Sequence, residues 1–213
     1  MTSRIWFLAY NLIFLPLLLG IVKILASFNL KLRESIENRK GLWDRLEEDV
    51  SKRNWQKPLI WFHVASAGEF LQAQPLIARC IAEGAECVVT YSSINALYWL
   101  QRPAQTETQN LLAAEFLPVD KIRNVHRLLG LLQPSRLVWV SYDLWPNLVW
   151  ETFRQGIPQT LVCGIIHAGS LRTTFFVGRS FYHSLYECLE QILTVSEADS
   201  KRILSSIPDH PYV

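Results

Sequence analysis

From residue 59 onward, short uninterrupted apolar runs alternate with segments of helical period, and this alternation leaves few folds open. The runs are "LIWFHVA" (59–65), "ECVVTY" (86–91), "AEFLP" (114–118), "RLVWVSY" (136–142), "QTLVCGII" (159–166) and "QILTV" (191–195). They are rich in branched and aromatic residues, and several are apolar throughout rather than at every second position. Strands read this way when both faces are buried, which is the condition of a parallel sheet. Between them lie helical segments. "EFLQAQPLIARCIAEG" ends at Gly84, a suitable C-terminal cap, and "INALYWLQ" is a shorter helix. In 120–133, Ile122, Val125, Leu128, Leu129 and Leu132 recur at helical spacing. "PNLVWETFRQG" begins at Pro146, where a missing N–H costs nothing. "TFFVGRSFYHSLYECLE" and "SEADSKRILSS", the latter capped by Ser196, complete the set, and residues 102–112 read as a polar loop. The expectation is an α/β domain: a Rossmann-like parallel sheet with helices on both faces.

The N-terminus obeys a different rule. Ile5 to Val22 holds no charged residue over 18 positions, between Arg4 and Lys23. At about 1.5 Å per residue that length approaches the roughly 30 Å of bilayer hydrocarbon. Residues 1–28 are therefore expected to form a membrane anchor helix, with Pro16 and Gly20 tolerated there. A cleaved signal peptide, suggested by "LAS" near Ala26, and a buried core helix are the alternatives. Basic residues after the run, from Lys23 through Arg33, Arg39 and Arg45 to Lys57, are expected to place the following body on the cytoplasmic side of the membrane. Residues 29–57 read as a polar helical connector ended by Pro58, and 58–213 as the Rossmann-like domain. The chain stops at "IPDHPYV" with no closing helix, so it reads as the first half of something longer.

A net charge of +2 argues against a nucleic-acid partner, which calls for a strongly basic face. Cys80, Cys87, Cys163 and Cys188 form no CxxC pair and read as reduced thiols of a cytosolic body. No Walker loop, G-x-G-x-x-G fingerprint or metal-ligand cluster is present in the sequence, and no cofactor is expected.

In open parallel sheets ligands bind beyond the carboxyl ends of the strands. Two stretches put polar chemistry there. In "SAGE", Ser66 and Gly68 admit a close approach to the backbone, and Glu69 stands in the positive field of a helix start, which favours its ionised form. It can serve as a base. Ser66 and Glu69 also fit a capping box, in which the two side chains satisfy the helix start reciprocally. In "SYDLWPN", Asp143, Trp145 and Asn147 collect an acid, an aromatic platform and an amide, suited to a sugar acceptor. Equally, Asp143 could cap the helix at Pro146 while Trp145 packs in the core. His63 reads as a satisfied core histidine, His126 as solvated on a helix, and Arg172 in "HAGSLR" as a possible phosphate contact.

In order and spacing, "RKGLWDRL" (39–46), "WFHVASAGEFLQAQPLI" (61–77), "FLPVD" (116–120), "QPSRLVWVSYDLWPNL" (133–148), "GIP" (156–158) and "SEADSKRI" resemble the N-terminal half of the Kdo (3-deoxy-D-manno-octulosonic acid) transferases. The second block is similar to their W-x-H-x-x-S-x-G-E signature. The resemblance implies a GT-B glycosyltransferase, metal-independent and inverting, that moves Kdo from CMP-Kdo to the lipid A precursor. It places the catalytic base on Glu69, with capping as a second role, and acceptor contacts on Ser66, Gly68, Asp143, Trp145 and Asn147. Inner-membrane lipids would be its surroundings. Many members carry Glu-x-Glu-Leu-Trp-Pro-Asn where this chain has Ser141-Tyr142-Asp143-Leu144-Trp145-Pro146-Asn147, so it resembles a divergent branch. The C-terminal, donor-binding half is absent from the sequence, and alone this chain is not expected to transfer Kdo efficiently. An inactive lipid-binding half-module and a GT-B enzyme for another nucleotide sugar remain the alternatives.

Overall fold

The computed structural model describes residues 2–100, 110–167, 169–170, 175–205, 207 and 210. Six strands form one sheet: β1 (Leu59–Val64), β2 (Glu86–Tyr91), β3 (Ala113–Phe116), β4 (Arg136–Val140), β5 (Gln159–Gly164) and β6 (Gln191–Thr194). Their order is β3-β2-β1-β4-β5-β6, and every pairing is parallel. Several apolar runs outlast their strands by one or two residues because the chain turns out of the sheet there. After β4 the break is at Ser141, whose φ of 69° a ladder cannot accommodate.

The helices are α1 (Thr2–Ala9), continued through a π-helical turn (Tyr10–Phe14) into α2 (Leu15–Ala26), then α3 (Leu30–Asn38), α4 (Leu42–Ser51), α5 (Ala67–Ala82), α6 (Ile94–Leu100), α7 (Ile122–Leu132), α8 (Pro146–Arg154), α9 (Phe176–Tyr186) and α10 (Glu197–Leu204). The polar connector is thus two helices, divided at Gly41, which has a φ of 71°.

The strand order dictates the layers. β1 to β3 step one way across the sheet and β4 to β6 the other, so right-handed crossovers send the two sets of helices to opposite faces. Two cores result. Phe62, Val64, Val89 and Val138 meet Phe70, Ala73 and Ile77 of α5 on one face. Trp61, Val88, Leu137 and Trp139 meet Leu46, Leu128, Leu132 and Trp150 on the other. Neighbouring residues of one strand serve different cores, which is why the strands read as continuous apolar runs.

The helix Arg4–Ala26 has the length and composition to cross a membrane, with a mean hydropathy of 2.2 and only 11% of its most apolar window buried. That exposure sets aside the buried core helix as its description. Its first part is nevertheless docked: Trp6 Nε1 donates to Ser180 Oγ (3.1 Å), and Phe7 and Tyr10 pack edge-on against Trp150. Cys87 and Cys188 are buried free thiols, and Cys80 and Cys163 are half-buried free thiols. Arg172 and most of the 102–112 loop lie outside the described residues.

Candidate active site

Where a doubly wound sheet reverses direction, between β1 and β4, the connections leave on opposite faces and open a crevice at the carboxyl end. Both stretches singled out in the sequence end there. Ser66 follows β1 and opens α5, accepting a hydrogen bond from the Glu69 amide at 3.4 Å. The Glu69 carboxylate turns back to accept from the Ala65 amide. A cap of the capping-box kind is therefore present, and the carboxylate that forms it is 7% exposed at the rim of the crevice. Gly68 keeps the approach open, since a Cβ placed there would meet only Ser66 Oγ, at 3.8 Å.

Asp143 comes from the opposite wall. The left-handed turn at Ser141 takes the chain off β4, and three groups then converge on Asp143 Oδ2. They are Ser92 Oγ (3.0 Å), Trp145 Nε1 (3.1 Å) and His63 Nε2 (3.3 Å). His63 is fully buried, with its ring edge-on to Trp139. Its Nδ1 lies 2.9 Å from Thr90 Oγ1, which accepts a hydrogen bond from Trp61 Nε1. A carboxylate can only accept, so in the neutral ring the Nε2 proton faces Asp143 and the Thr90 hydroxyl donates to Nδ1. The core histidine of the sequence reading is indeed satisfied, and it also positions an acid of the crevice.

The two carboxyls are pushed apart. Burial raises the Glu69 pKa above the ordinary carboxylate range; the Ala65 hydrogen bond opposes this and the nearby charge of Asp143 adds to it. The helix-start field was expected to keep Glu69 ionised, but desolvation outweighs it. Burial also acts to raise Asp143, yet the bond and charge of His63, with the bonds of Ser92 and Trp145, hold it below the ordinary range. One acid raised and its neighbour lowered is the kind of separation by which a site gives two carboxyls different roles.

Asn147 and the helix at Pro146 have another arrangement. The α8 start is capped by Asp120, not Asp143: Asp120 accepts from the Asn147 amide (2.9 Å), the Leu148 amide (3.1 Å) and Tyr10 Oη (3.0 Å). Asn147 is fully buried; its side chain donates to the Asp120 carbonyl (2.6 Å) and exchanges hydrogen bonds with Asn11 at 2.7 and 2.9 Å. The structure thus brings Ser66, Gly68, Glu69, Asp143 and Trp145 to the crevice, and places Asn147 in the seam with the apolar helix. Trp145 is half-buried and packs against the core besides serving Asp143. His126 is exposed on its helix and pairs with Glu151 at 2.8 Å. Ser92 was missed in the sequence; its signal is its position just past β2, the strand beside β1. A cavity of about 910 Å³ lies elsewhere, between the apolar helix and α8, lined by Arg4, Phe7, Trp150 and Arg154.

A six-stranded parallel sheet wound in this order defines a Rossmann-like α/β domain. The fold is similar to a solved UDP-N-acetylglucosamine 2-epimerase, described as putative, from Listeria monocytogenes, with a TM-score of 0.51 at 10% identity, covering 72% of this chain and 42% of that one. The model of the family described as 3-deoxy-D-manno-octulosonic-acid transferase (kdotransferase) matches residues 34–210, and the chain belongs to that family. It is 26% identical over 145 residues to the 3-deoxy-D-manno-octulosonic acid transferase of Bordetella pertussis, covering 68% of this chain and 34% of that protein. To the Chlamydia pneumoniae transferase it is 29% identical over 156 residues, 72% of this chain and 35% of that protein. The chain spans about a third of the length of the curated relatives it matches. The apolar helix and the family together point to membrane association.

Proposed function

We propose that this chain is the acceptor-side, membrane-held domain of a Kdo transferase, with residues 1–28 as anchor, 29–57 as connector and 58–213 as the acceptor-binding body. The reaction moves Kdo from CMP-Kdo to a lipid A precursor, lipid IVA, on the cytoplasmic face of the inner membrane. The observation that carries this reading is the pair of carboxyls at the switch point, Glu69 tuned up and Asp143 tuned down, in a chain of this family.

Glu69 takes the proton of an acceptor sugar hydroxyl as that oxygen attacks the anomeric carbon of Kdo. The bond to CMP breaks, CMP carries away the electron pair, and the configuration inverts. A carboxylate whose pKa burial has raised is matched to this task, because its ionised form is a stronger base than a free carboxylate. Asp143, fixed by His63, Ser92 and Trp145, supplies a constant negative charge that keeps Glu69 basic and an edge on which sugar hydroxyls can donate. Donor contacts belong to the remaining length of the relatives.

The test is transfer from CMP-Kdo to lipid IVA in membranes carrying the full-length natural protein or its Glu69→Gln variant. Loss of transfer with retained folding supports the base, since glutamine can still accept from the Ala65 amide. Undiminished transfer overturns it. Acceptor binding without transfer in every intact form would leave a lipid-binding module, with Glu69 as a cap.

A further inference from the structure

The apolar helix leaves the body and comes back to it on the same side. Before the exposed stretch, Tyr10 is bonded to Asp120, which caps α8 from a distance, and Asn11 to Asn147 in the first turn of α8. After it, Tyr98 on α6 donates to Glu34 of α3. Just beyond α3, Arg39 donates to the carbonyls of Leu117 (3.2 Å) and Ser92 (3.1 Å), past the carboxyl ends of β3 and β2. Both roots therefore stand on one rigid sheet. Between them, Leu12, Ile13, Leu17, Leu18, Ile21, Ile24 and Leu25 are exposed, and Phe28 at the turn is 86% exposed. Leu15, Leu19, Val22 and Ala26, spaced along one stripe of the helix, are the less exposed positions.

We infer that residues 12–38 are a helical hairpin inserted into a single leaflet, with both roots on the side of the body, and that the chain does not cross the bilayer. A spanning helix would need residues 2–11 on the far side, and that would break the buried bond of Tyr10 and the part-buried bonds of Asn11. The charges agree. Lys23, Lys31 and Arg33 lie near the turn and are exposed. At the bilayer centre they would be costly, so they reach for headgroups and the hairpin lies obliquely in the outer layer of one leaflet. The partner is thus the acyl and headgroup boundary of one leaflet. The roots flank the crevice: Ser92, whose carbonyl Arg39 holds, bonds Asp143 through its hydroxyl, and Asn147 stands in the first turn of α8, two residues after Trp145. Insertion brings that crevice down onto the membrane surface, within reach of a lipid-borne acceptor. This inference rests on the membrane part of the proposed function and not on the sugar transferred.

The experiment is sidedness labelling of the membrane-bound protein. Cys80, Cys87, Cys163 and Cys188 are replaced by Ser, and single cysteines are introduced as Ser3→Cys or, on the body, Lys57→Cys. An impermeant maleimide is applied to oriented vesicles and to inverted ones. The expected result is that both positions label from the same side. Labelling from opposite sides overturns the inference and leaves the membrane reading standing. Recovery of the intact chain in the soluble fraction overturns both. If the cysteine-free background does not fold, an epitope tag placed before Thr2 in the natural-cysteine protein, read with antibody on the same vesicles, gives the same decision.

Discussion

Two helix starts at the carboxyl edge of the sheet solve the same problem by different means. α5 is capped from within its own sequence: Ser66 and Glu69 satisfy amides one turn away. α8 is capped from a distance, by Asp120, which lies 27 residues before Asn147 and also accepts from Tyr10 of the apolar helix. The local cap leaves its carboxylate, 7% exposed, at the rim of a crevice. The remote cap buries its carboxylate completely and spends it on tying three segments together. Burial raises both acids, yet only one of them faces a place where a substrate can lie.

Replacing the cap at the crevice should act on rate and replacing the interior one on stability. Glu69→Gln is expected to reduce transfer by about 10²–10⁴-fold, the range of a lost general base, with a small change in unfolding midpoint. Transfer assays and urea unfolding on the same preparation separate the two effects. A large loss of stability with unchanged rate would reverse the contrast between the caps.

Asp120→Ala strands two amides and a tyrosine hydroxyl in the interior, and an expected loss of about 3 kcal/mol follows from roughly 1 kcal/mol for each unpaired group. The same acid sets a pH dependence. Burial pushes Asp120 up to about 7, against an ordinary 3.8. Between those values the folded chain holds a proton that the unfolded chain has lost, so the contribution of this group is most favourable below about 4 and is lost as pH rises through about 7. Asp120→Asn removes that slope, of about 1 kcal/mol per pH unit, from a series of urea midpoints. A slope that persists would show that another group carries it.

How much of this could be read beforehand follows the same division. The alternation of apolar runs gave the parallel sheet, and the Ser66–Glu69 spacing gave the α5 cap, because both are encoded within a few residues. Asp120 was read as the first residue of a helical segment and the last of the block 116–120, with no bond assigned to it, since nothing in a 3.6-residue period reports a bond reaching Asn147. Asn147 was read as an acceptor amide from its neighbours Asp143 and Trp145; its burial depends on Asn11, 136 residues earlier. The link of His63 to Asp143 requires β1 and β4 to be adjacent, and strand order was not part of the sequence reading. Apolar length marked the first helix, but not that both its ends return to one body.

A subtler change tests whether the two crevice carboxyls are coupled. Asp143→Asn keeps an oxygen for His63 Nε2 and removes the negative charge that helps to raise Glu69. Removing a like charge favours the ionised base, so the acid limb of the pH–rate profile should move to lower pH. The rate at the plateau should fall by about tenfold, because a weaker base abstracts the proton less readily. A plateau loss with an unmoved limb would mean that Asp143 acts on the acceptor alone.

The smallest expected effect separates the two roles of the α5 start. Ser66→Ala removes the hydroxyl that accepts from the Glu69 amide, at 3.4 Å a long bond. A lost helix cap costs about 0.5–2 kcal/mol, and the long contact places this one at the lower end. The carboxylate of Glu69 would keep its bond to the Ala65 amide and hence its place at the crevice. Urea midpoints of the single variants and of Ser66→Ala with Glu69→Gln form a double-mutant cycle. A coupling energy near zero would mean that the two caps act independently, and that Glu69 is held by the strand end alone. A coupling of about 1 kcal/mol would mean that the hydroxyl and the carboxylate order the turn together, so that the same residues that start the helix also aim the base.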